Sequence, residues 1–351
     1  MVGTRIRFCL FLSVVLLVAG VLAAQQAPPP PASAPQQPAP GVNPPPLRVQ
    51  ANLVNIIATV VTRREKLVTD LGQSDFRVFE DGKEQKIQFF SRETDLPLRI
   101  GLLMDTSNSI RERLEFEKDA AIDFLHNTLR RGKDQAFLMI FDNEPSIVRD
   151  FTEDAGALTE AVQRQRAGGG TALYDAVIRA SDKLAGAPQP ADHSAVRRVI
   201  VVISDGDDNL STGSRGAAVE AAQRAGVAVY CISSSTQWVS AAELTDSQKR
   251  VERKFLLEDE DKVLVEFAAE TGGRAFFPYS VDDLGQSFQD IGEELRNQYS
   301  LAYIPPAGAA DGRFRKISVD VDRKGLVVRS RKGYYPLPPD SRPSSPATKN
   351  Q

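Results

Sequence analysis

The sequence predicts an α/β fold: a mostly parallel sheet covered by helices on both faces, with a smaller β module beside it. Three observations carry that reading. Between Leu98 and about Asn297, β-rich runs alternate with helical patterns; the segments on either side return to strand-like runs; and buried-looking runs end in carboxylates, Asp105 and Asp205 among them. Alternation of this kind implies parallel strands joined by crossover helices.

The chain opens with "MVGTRIRFCLFLSVVLLVAGVLAAQQ", in which Arg5 and Arg7 precede an apolar run that ends in small residues near Ala24. The pattern predicts a cleaved secretory signal over residues 1–24. An uncleaved anchor is the weaker reading, because the run is short for a bilayer and no charged flank follows it. The expected location is secreted or periplasmic, with no membrane span once the signal is removed. Cys9 and Cys231 are the two cysteines, and Cys9 lies in the signal, so the mature protein forms no internal disulfide and relies on its core. Residues 25–46, rich in proline and glutamine, read as an extended spacer, and residues 337–351 as a disordered tail. With 43 basic and 46 acidic residues there is no basic face to favour nucleic acid.

Three zones lie between. Residues 47–96 have strand character: "LVNIIATVV" is β-branched, and "FRVFEDGKEQKIQFF" is two alternating runs around Asp81-Gly82, a hairpin signal. Residues 97–298 form the α/β zone. Its strands are "LRIGLLMD", "QAFLMIFD", "RRVIVVISD", "VAVYCIS" and "RAFFPY"; its helices cover Leu114–Leu129, Ala172–Leu184, Arg215–Ala225, Lys262–Glu270 and Leu284–Leu295. Residues 299–336 return to strands. Neither flank has enough strands to bury a face alone, so the two are expected to pair into one module. Cys231, inside an apolar run, is expected to be buried and inert.

The stretch "LLMDTSNSI" is unusual. A buried run stops at Asp105 and is followed by Ser107 and Ser109 at alternate positions. One such residue satisfies a turn, whereas three can converge on a point, and convergent hard oxygens suit a cation. In open α/β sheets ligands sit beyond the carboxyl ends of the strands. Asp205 closes another strand there in "VVISDGDDN", and "RAGGGTALYDAV" puts Thr171 after three glycines that let the backbone approach closely. Such a cage suits Mg2+, with Mn2+ or Ca2+ as alternatives.

At these residues the chain resembles the von Willebrand factor type A (VWA) domain with its metal-ion-dependent adhesion site (MIDAS). That pattern is Asp-x-Ser-x-Ser, a later Thr, and an Asp before Gly; Asp105, Ser107, Ser109, Thr171 and Asp205, with Gly206, fill every position. The resemblance implies a doubly wound, Rossmann-like sheet of about six strands with one antiparallel edge strand, for which "SIVRDFT" is the candidate. It implies that Ser107, Ser109 and Thr171 contact the metal, that Asp105 and Asp205 act mainly through water, and that a partner's Asp or Glu completes the shell. The flanks "DFRVFEDGKEQKIQFF" and "LRNQYSLAYIPP" to "VRSRKGYYP" resemble those of an exported bacterial VWA-related family common in Acidobacteria.

The plainer readings differ. Asp105 or Ser107 alone could be a helix cap, and Asp175, Asp207 and Asp208 read as capping or solvated residues. A haloacid-dehalogenase-type phosphatase needs a second carboxylate where Ser107 stands. Serine hydrolysis needs a base, and the two histidines, His126 in a helical pattern and His193 in a loop, have no G-x-S-x-G partner. The expected function is therefore a metal-dependent protein-binding module and not an enzyme. The alternatives are a metal-dependent hydrolase and a scaffold whose site takes no metal. The long connection Ser233–Asp261 is expected to carry a short helix that displays Trp238 beside the metal.

Overall fold

The computed structural model describes residues 53–93, 96–190, 196–235, 259–278, 280–306 and 311–336. The signal, the spacer, the C-terminal tail, His193 and Trp238 lie outside the described residues. Four strands come first: β1 (Val54–Thr62), β2 (Phe76–Glu80), β3 (Lys83–Gln85) and β4 (Ile87–Glu93). The α/β region follows with β5 (Leu98–Asp105), α1 (Leu114–Thr128), β6 (Gln135–Phe141), β7 (Pro145–Thr152), α2 (Ala155–Gln163), α3 (Leu173–Ala185), β8 (Arg197–Ser204), α4 (Arg215–Ala225) and β9 (Val227–Ser233). It continues with α5 (Asp259–Thr271), β10 (Ala275–Phe276) and α6 (Val281–Arg296), and the chain returns to strands at β11 (Gln298–Tyr303), β12 (Arg315–Val321), β13 (Leu326–Ser330) and β14 (Gly333–Tyr334).

The central sheet has six strands in the order β10-β9-β8-β5-β6-β7. All neighbours are parallel except β6 and β7, so "SIVRDFT" is the antiparallel edge. Every residue of β5 is buried, as a strand covered on both faces requires. Its side chains alternate between two cores. Leu98, Ile100, Leu102 and Met104 face a layer built from α1, α2 and α6, including Phe124, Leu158 and Phe288. Leu103 faces the opposite layer with Val177 of α3, Ala222 of α4 and Phe267 of α5. Cys231 of β9 belongs to this second core and is fully buried; desolvation drives its thiol pKa well up, which leaves it inert. After β5 the chain moves outward through β6 and β7, then restarts at β8 on β5's other side. The carboxyl ends of β5 and β8 therefore flank the topological switch point, where such sheets bind ligands.

The two flanks interleave, as expected, but into two sheets. One has the order β13-β1-β11-β4, the other β14-β12-β2-β3. Both close over one core that includes Ile56, Val60, Phe76, Val78, Tyr299, Leu301 and Val319. The hairpin at Asp81-Gly82 forms, with both residues in the left-handed region (φ 49° and 78°) that a two-residue primed turn needs. Its second run, however, is split. β3 ends at Gln85 after three paired residues, and β4 crosses to the other sheet, where β11 pairs with six of its residues. The longer ladder decides the strand's partner.

Helix α2 is not among the helices read from the sequence. Asp154 caps it, accepting from the N–H groups of Gly156 (2.9 Å) and Ala157 (3.3 Å), while Leu158, Ala161 and Val162 bury one face. At the far end of α6, buried Glu294 joins the central sheet to the flanking module. It accepts from Thr59 Oγ1 (2.9 Å), Tyr230 OH (3.0 Å) and Arg329 Nη2 (2.6 Å). No described helix is long and apolar enough to cross a membrane.

Candidate metal centre

Asp105 is wholly buried at the end of β5, and both its oxygens are engaged. Oδ1 accepts from the backbone N–H of Ser107 (2.8 Å) and Oδ2 from the hydroxyl of Ser204 (2.8 Å), the last residue of β8. From there a line of oxygens runs outward: Ser107 Oγ lies 2.9 Å from Ser109 Oγ, which donates to Asp205 Oδ2 at 2.7 Å. The structure thus links Asp105, Ser107, Ser109 and Asp205 in one hydrogen-bonded chain across the switch point.

Thr171 stands on the adjoining loop, nearly fully buried, with its hydroxyl outside that chain. The loop is tied to the β5 end by two backbone bonds, Gly168 N to Thr106 O (2.7 Å) and Asn108 N to Gly169 O (3.2 Å). It is tied to the β8 end through Asn209, whose Oδ1 accepts from Thr171 N (3.0 Å). The expected close approach is real at Gly170, where a Cβ would fall 2.5 Å from Leu210 Cδ1. Asp208 accepts from Tyr174 N (2.8 Å) at the start of α3, and Asp175 holds Thr212 N (2.9 Å) and Gly213 N (2.8 Å), so both serve the loops around the site.

The electrostatics are those of a region short of positive charge. Burial, with the nearby charge of Asp205, raises the Asp105 pKa to about 6 against the pull of the Ser107 and Ser204 hydrogen bonds. Glu117, on α1, is a group that motif reading missed. It is 1% exposed, and neither carboxylate oxygen has a hydrogen-bond partner. Burial first, and then the charges of Asp105 and Asp205, push its pKa up to about 8. A signal was present: Glu117 occupies the buried stripe of α1 with Leu114, Ala121 and Phe124, where a carboxylate is out of place.

The donor set fits a hard cation. An octahedral ion with bonds of about 2.0–2.1 Å spaces adjacent oxygens about 2.9 Å apart, and the Ser107 and Ser109 hydroxyl oxygens already stand 2.9 Å apart. Among the described residues no three His, Cys, Asp or Glu side chains converge on a point, so an ion here would lean on hydroxyls. His126 is engaged elsewhere, with Nε2 3.0 Å from Thr159 Oγ1 between α1 and α2.

Residues 100–207 match the von Willebrand factor type A domain family, so the chain carries a VWA domain. The matched span contains all five candidate residues. Among solved structures, similar chains include an aerotolerance-related membrane protein from Bacteroides fragilis, 20% identical over 56% of this chain and 98% of that one, TM-score 0.42. A von Willebrand factor type A protein from Catenulispora acidiphila is 11% identical over 75% of this chain and 76% of its own, TM-score 0.44. Proximal thread matrix protein 1 of the mussel byssus, solved with a zinc-occupied MIDAS motif, is 14% identical over 62% of this chain and 49% of its own, TM-score 0.44. No curated protein matches the sequence.

Proposed function

We propose that the protein is an exported binding module that recognises a protein partner through a divalent cation at the β5–β8 switch point. The observation that supports this most directly is the unbroken line Asp105–Ser107–Ser109–Asp205 at the edge where such sheets bind ligands. VWA domains mediate protein–protein interaction, which agrees with this use of the edge.

In this reading Ser107, Ser109 and Thr171 hold the ion with neutral hydroxyls, while Asp105 and Asp205 compensate its charge through water. A bound ion supplies an electrophilic position that favours an anionic oxygen, an Asp or Glu of the partner. The protein's own work is orientation. Asp105 is fixed by Ser204 Oγ and Ser107 N, so the loop bearing both serines is preset by the sheet behind it. Mg2+ is the favoured ion. The Ser109 hydroxyl donates to a carboxylate and, among the described residues, has no imidazole beside it, which supports a binding role for the site.

Calorimetric titration of the full chain with Mg2+, Mn2+ and Ca2+ tests the first half. Saturable binding in the wild type, lost in Asp105→Ala, is expected; a wild type that takes up no divalent ion overturns the reading. Titrating the loaded protein with acidic and amidated peptides, with EDTA as control, tests the second. Metal-dependent turnover of phosphate or peptide esters, abolished by Asp105→Ala, would favour the hydrolase instead.

A further inference from the structure

The five-residue motif leaves one buried group unexplained. Glu117 lies in the first turn of α1 with 1% of its surface exposed and no hydrogen bond within normal distance of either oxygen. Its polar neighbour, Ser234, follows the last residue of β9; the Ser234 hydroxyl is also buried, outside normal hydrogen-bond distance of any partner, and it favours the ionised form of Glu117. Yet Ser234 N donates to Ser204 O at 3.0 Å, and Ser204 is the residue whose hydroxyl holds Asp105. Ser234 is therefore one residue removed from Asp105 through Ser204, and Glu117 is near enough to feel the Ser234 side chain and the charges of Asp105 and Asp205.

A buried carboxylate is costly to ionise, so Glu117 holds its proton until positive charge is brought near it. Lys118, the next residue, does not relieve it: its ammonium turns to Glu115 Oε1 (2.8 Å) and to Gln163 O (3.4 Å). The charge of Arg113, with the Ser234 side chain, favours ionised Glu117 and acts against burial and the like charges of Asp105 and Asp205. What such a group lacks is positive charge on the Asp105 side, and a hydrated cation at the head of the Asp-Ser loop supplies it.

We propose that Glu117 is a sixth residue of the cation site, a third compensating carboxylate that acts through water from behind Asp105, with Ser234 as its hydroxyl partner. This rests on the reading of the edge as a cation site. It is a positioning role and not ligation, because the three carboxylates do not converge on one point. With Glu117 the site opposes the ion with three acids, not two. A compact divalent ion is then held by hydroxyls at its front and by an anionic, water-bearing wall at its back. The same wall favours ions of higher charge, since the attraction of a fixed charge scales with the charge of the ion.

The test uses the full chain and two probes, Mg2+ by calorimetry and Tb3+ by luminescence, on wild type, Asp105→Ala, Glu117→Gln and Glu117→Met. Removing an outer-sphere partner of a metal site typically costs about 10–100-fold in affinity, and Glu117→Gln is expected to fall in that range for Mg2+. The loss in log units should be about 1.5 times larger for Tb3+, because a removed charge is felt in proportion to the ion's charge. In EDTA both Glu117 variants should melt at or above the wild-type temperature, since an unsatisfied buried acid is gone. A wild type that binds, an Asp105→Ala that does not, and a Glu117→Gln with unchanged affinity would overturn this inference and leave the cation site standing. Equal log losses for the two ions, or a lower melting point in EDTA for both Glu117 variants, would make Glu117 a packing residue and overturn it too. A wild type that binds neither ion would overturn the cation site itself.

Discussion

Two strands of the central sheet end in nearly the same short pattern and use it differently. β5 ends at Asp105 with Ser107 and Ser109 following at alternate positions; β9 ends at Ser233 with Ser235 two residues on. At β9 both hydroxyls turn onto one oxygen of a single acid, Asp261 in the first turn of α5, at 2.8 and 3.0 Å, with 2.7 Å between the hydroxyls. That cluster is closed by one strand end and the helix that follows. At β5 the hydroxyls run outward and finish on Asp205, an acid delivered by the neighbouring strand β8. The spacing of serines does not separate the two cases; the second acid, brought across the switch point, does. Gly206 sits between them, at φ 86°, and a Cβ there would fall 2.4 Å from Glu260 O. The first turn of α5 therefore packs directly on the backbone beside Asp205, with no room for a side chain between the open cluster and the closed one.

The contrast breaks most visibly under removal of each acid. Asp105→Ala should weaken divalent binding by about 100-fold or more and leave the far-ultraviolet circular dichroism unchanged, because the strands behind it keep both cores. Asp261→Ala should do the reverse. It leaves the buried Ser233 hydroxyl and the half-buried Ser235 hydroxyl without their shared carboxylate acceptor, at a cost of about 1–3 kcal/mol in stability, with the Mg2+ isotherm intact. An Asp261→Ala protein that folds and no longer binds Mg2+ would erase the distinction.

Acid titration sharpens it next. In the unfolded chain Asp105 and Glu117 ionise near their ordinary 3.8 and 4.5, whereas in the folded protein they hold their protons up to about 6 and about 8. Between those limits the native state binds more protons, so metal-free stability should fall as pH rises, by at most about 1.4 kcal/mol per pH unit for each group. The decline should begin near pH 4, lessen above pH 6 and end near pH 8. Saturating Mg2+ favours the ionised forms and should flatten the profile. Urea melts in EDTA from pH 4 to 8 give the slope directly, and a stability that rises over that interval contradicts the assignment of both groups.

Much of this architecture was legible because burial on two faces leaves a plain mark. The runs ending at Asp105 and Ser204 each hold five consecutive residues without a polar side chain, 100–104 and 199–203, and the acids that close or follow them sit where no core would place them. Helix α2 was harder to see, since its nine residues include Gly156 and its start depends on a cap rather than on periodicity. The split of "KEQKIQFF" between two sheets was hidden for another reason: alternation tells which face a residue takes, not which strand pairs with it. Glu117 carries no motif at all. Its meaning comes from Ser234 and Asp105, which lie 117 and 12 positions away in sequence and meet only in the folded sheet. Glu294 is similar, a helix acid that becomes the acceptor for three elements once β1, β9 and β13 are assembled.

The smallest expected effects make the finest distinction. Ser109 and Ser235 are equivalent in spacing, each two residues beyond a residue that engages an acid, and each hydroxyl donates to a carboxylate, at 2.7 Å in one case and 3.0 Å in the other. Ser109 is exposed and Ser235 half-buried. Ser109→Ala removes a hydroxyl whose bond to Asp205 competes with water, so stability should move by no more than about 0.5 kcal/mol. Ser235→Ala removes one of two donors to Asp261 and leaves Ser233 in place, which should cost about 0.5–1.5 kcal/mol. By stability alone the β9 serine is the more important of the two. Cation affinity should reverse the order: Ser109→Ala loses one of the hydroxyls facing the ion and should weaken Mg2+ binding, while Ser235→Ala leaves it within error. Paired urea melts and Mg2+ titrations on the two variants decide the matter. Equal losses of Mg2+ affinity would mean that the β9 cluster is coupled to the ion through Gly206 and α5, and that the two strand ends form one extended site.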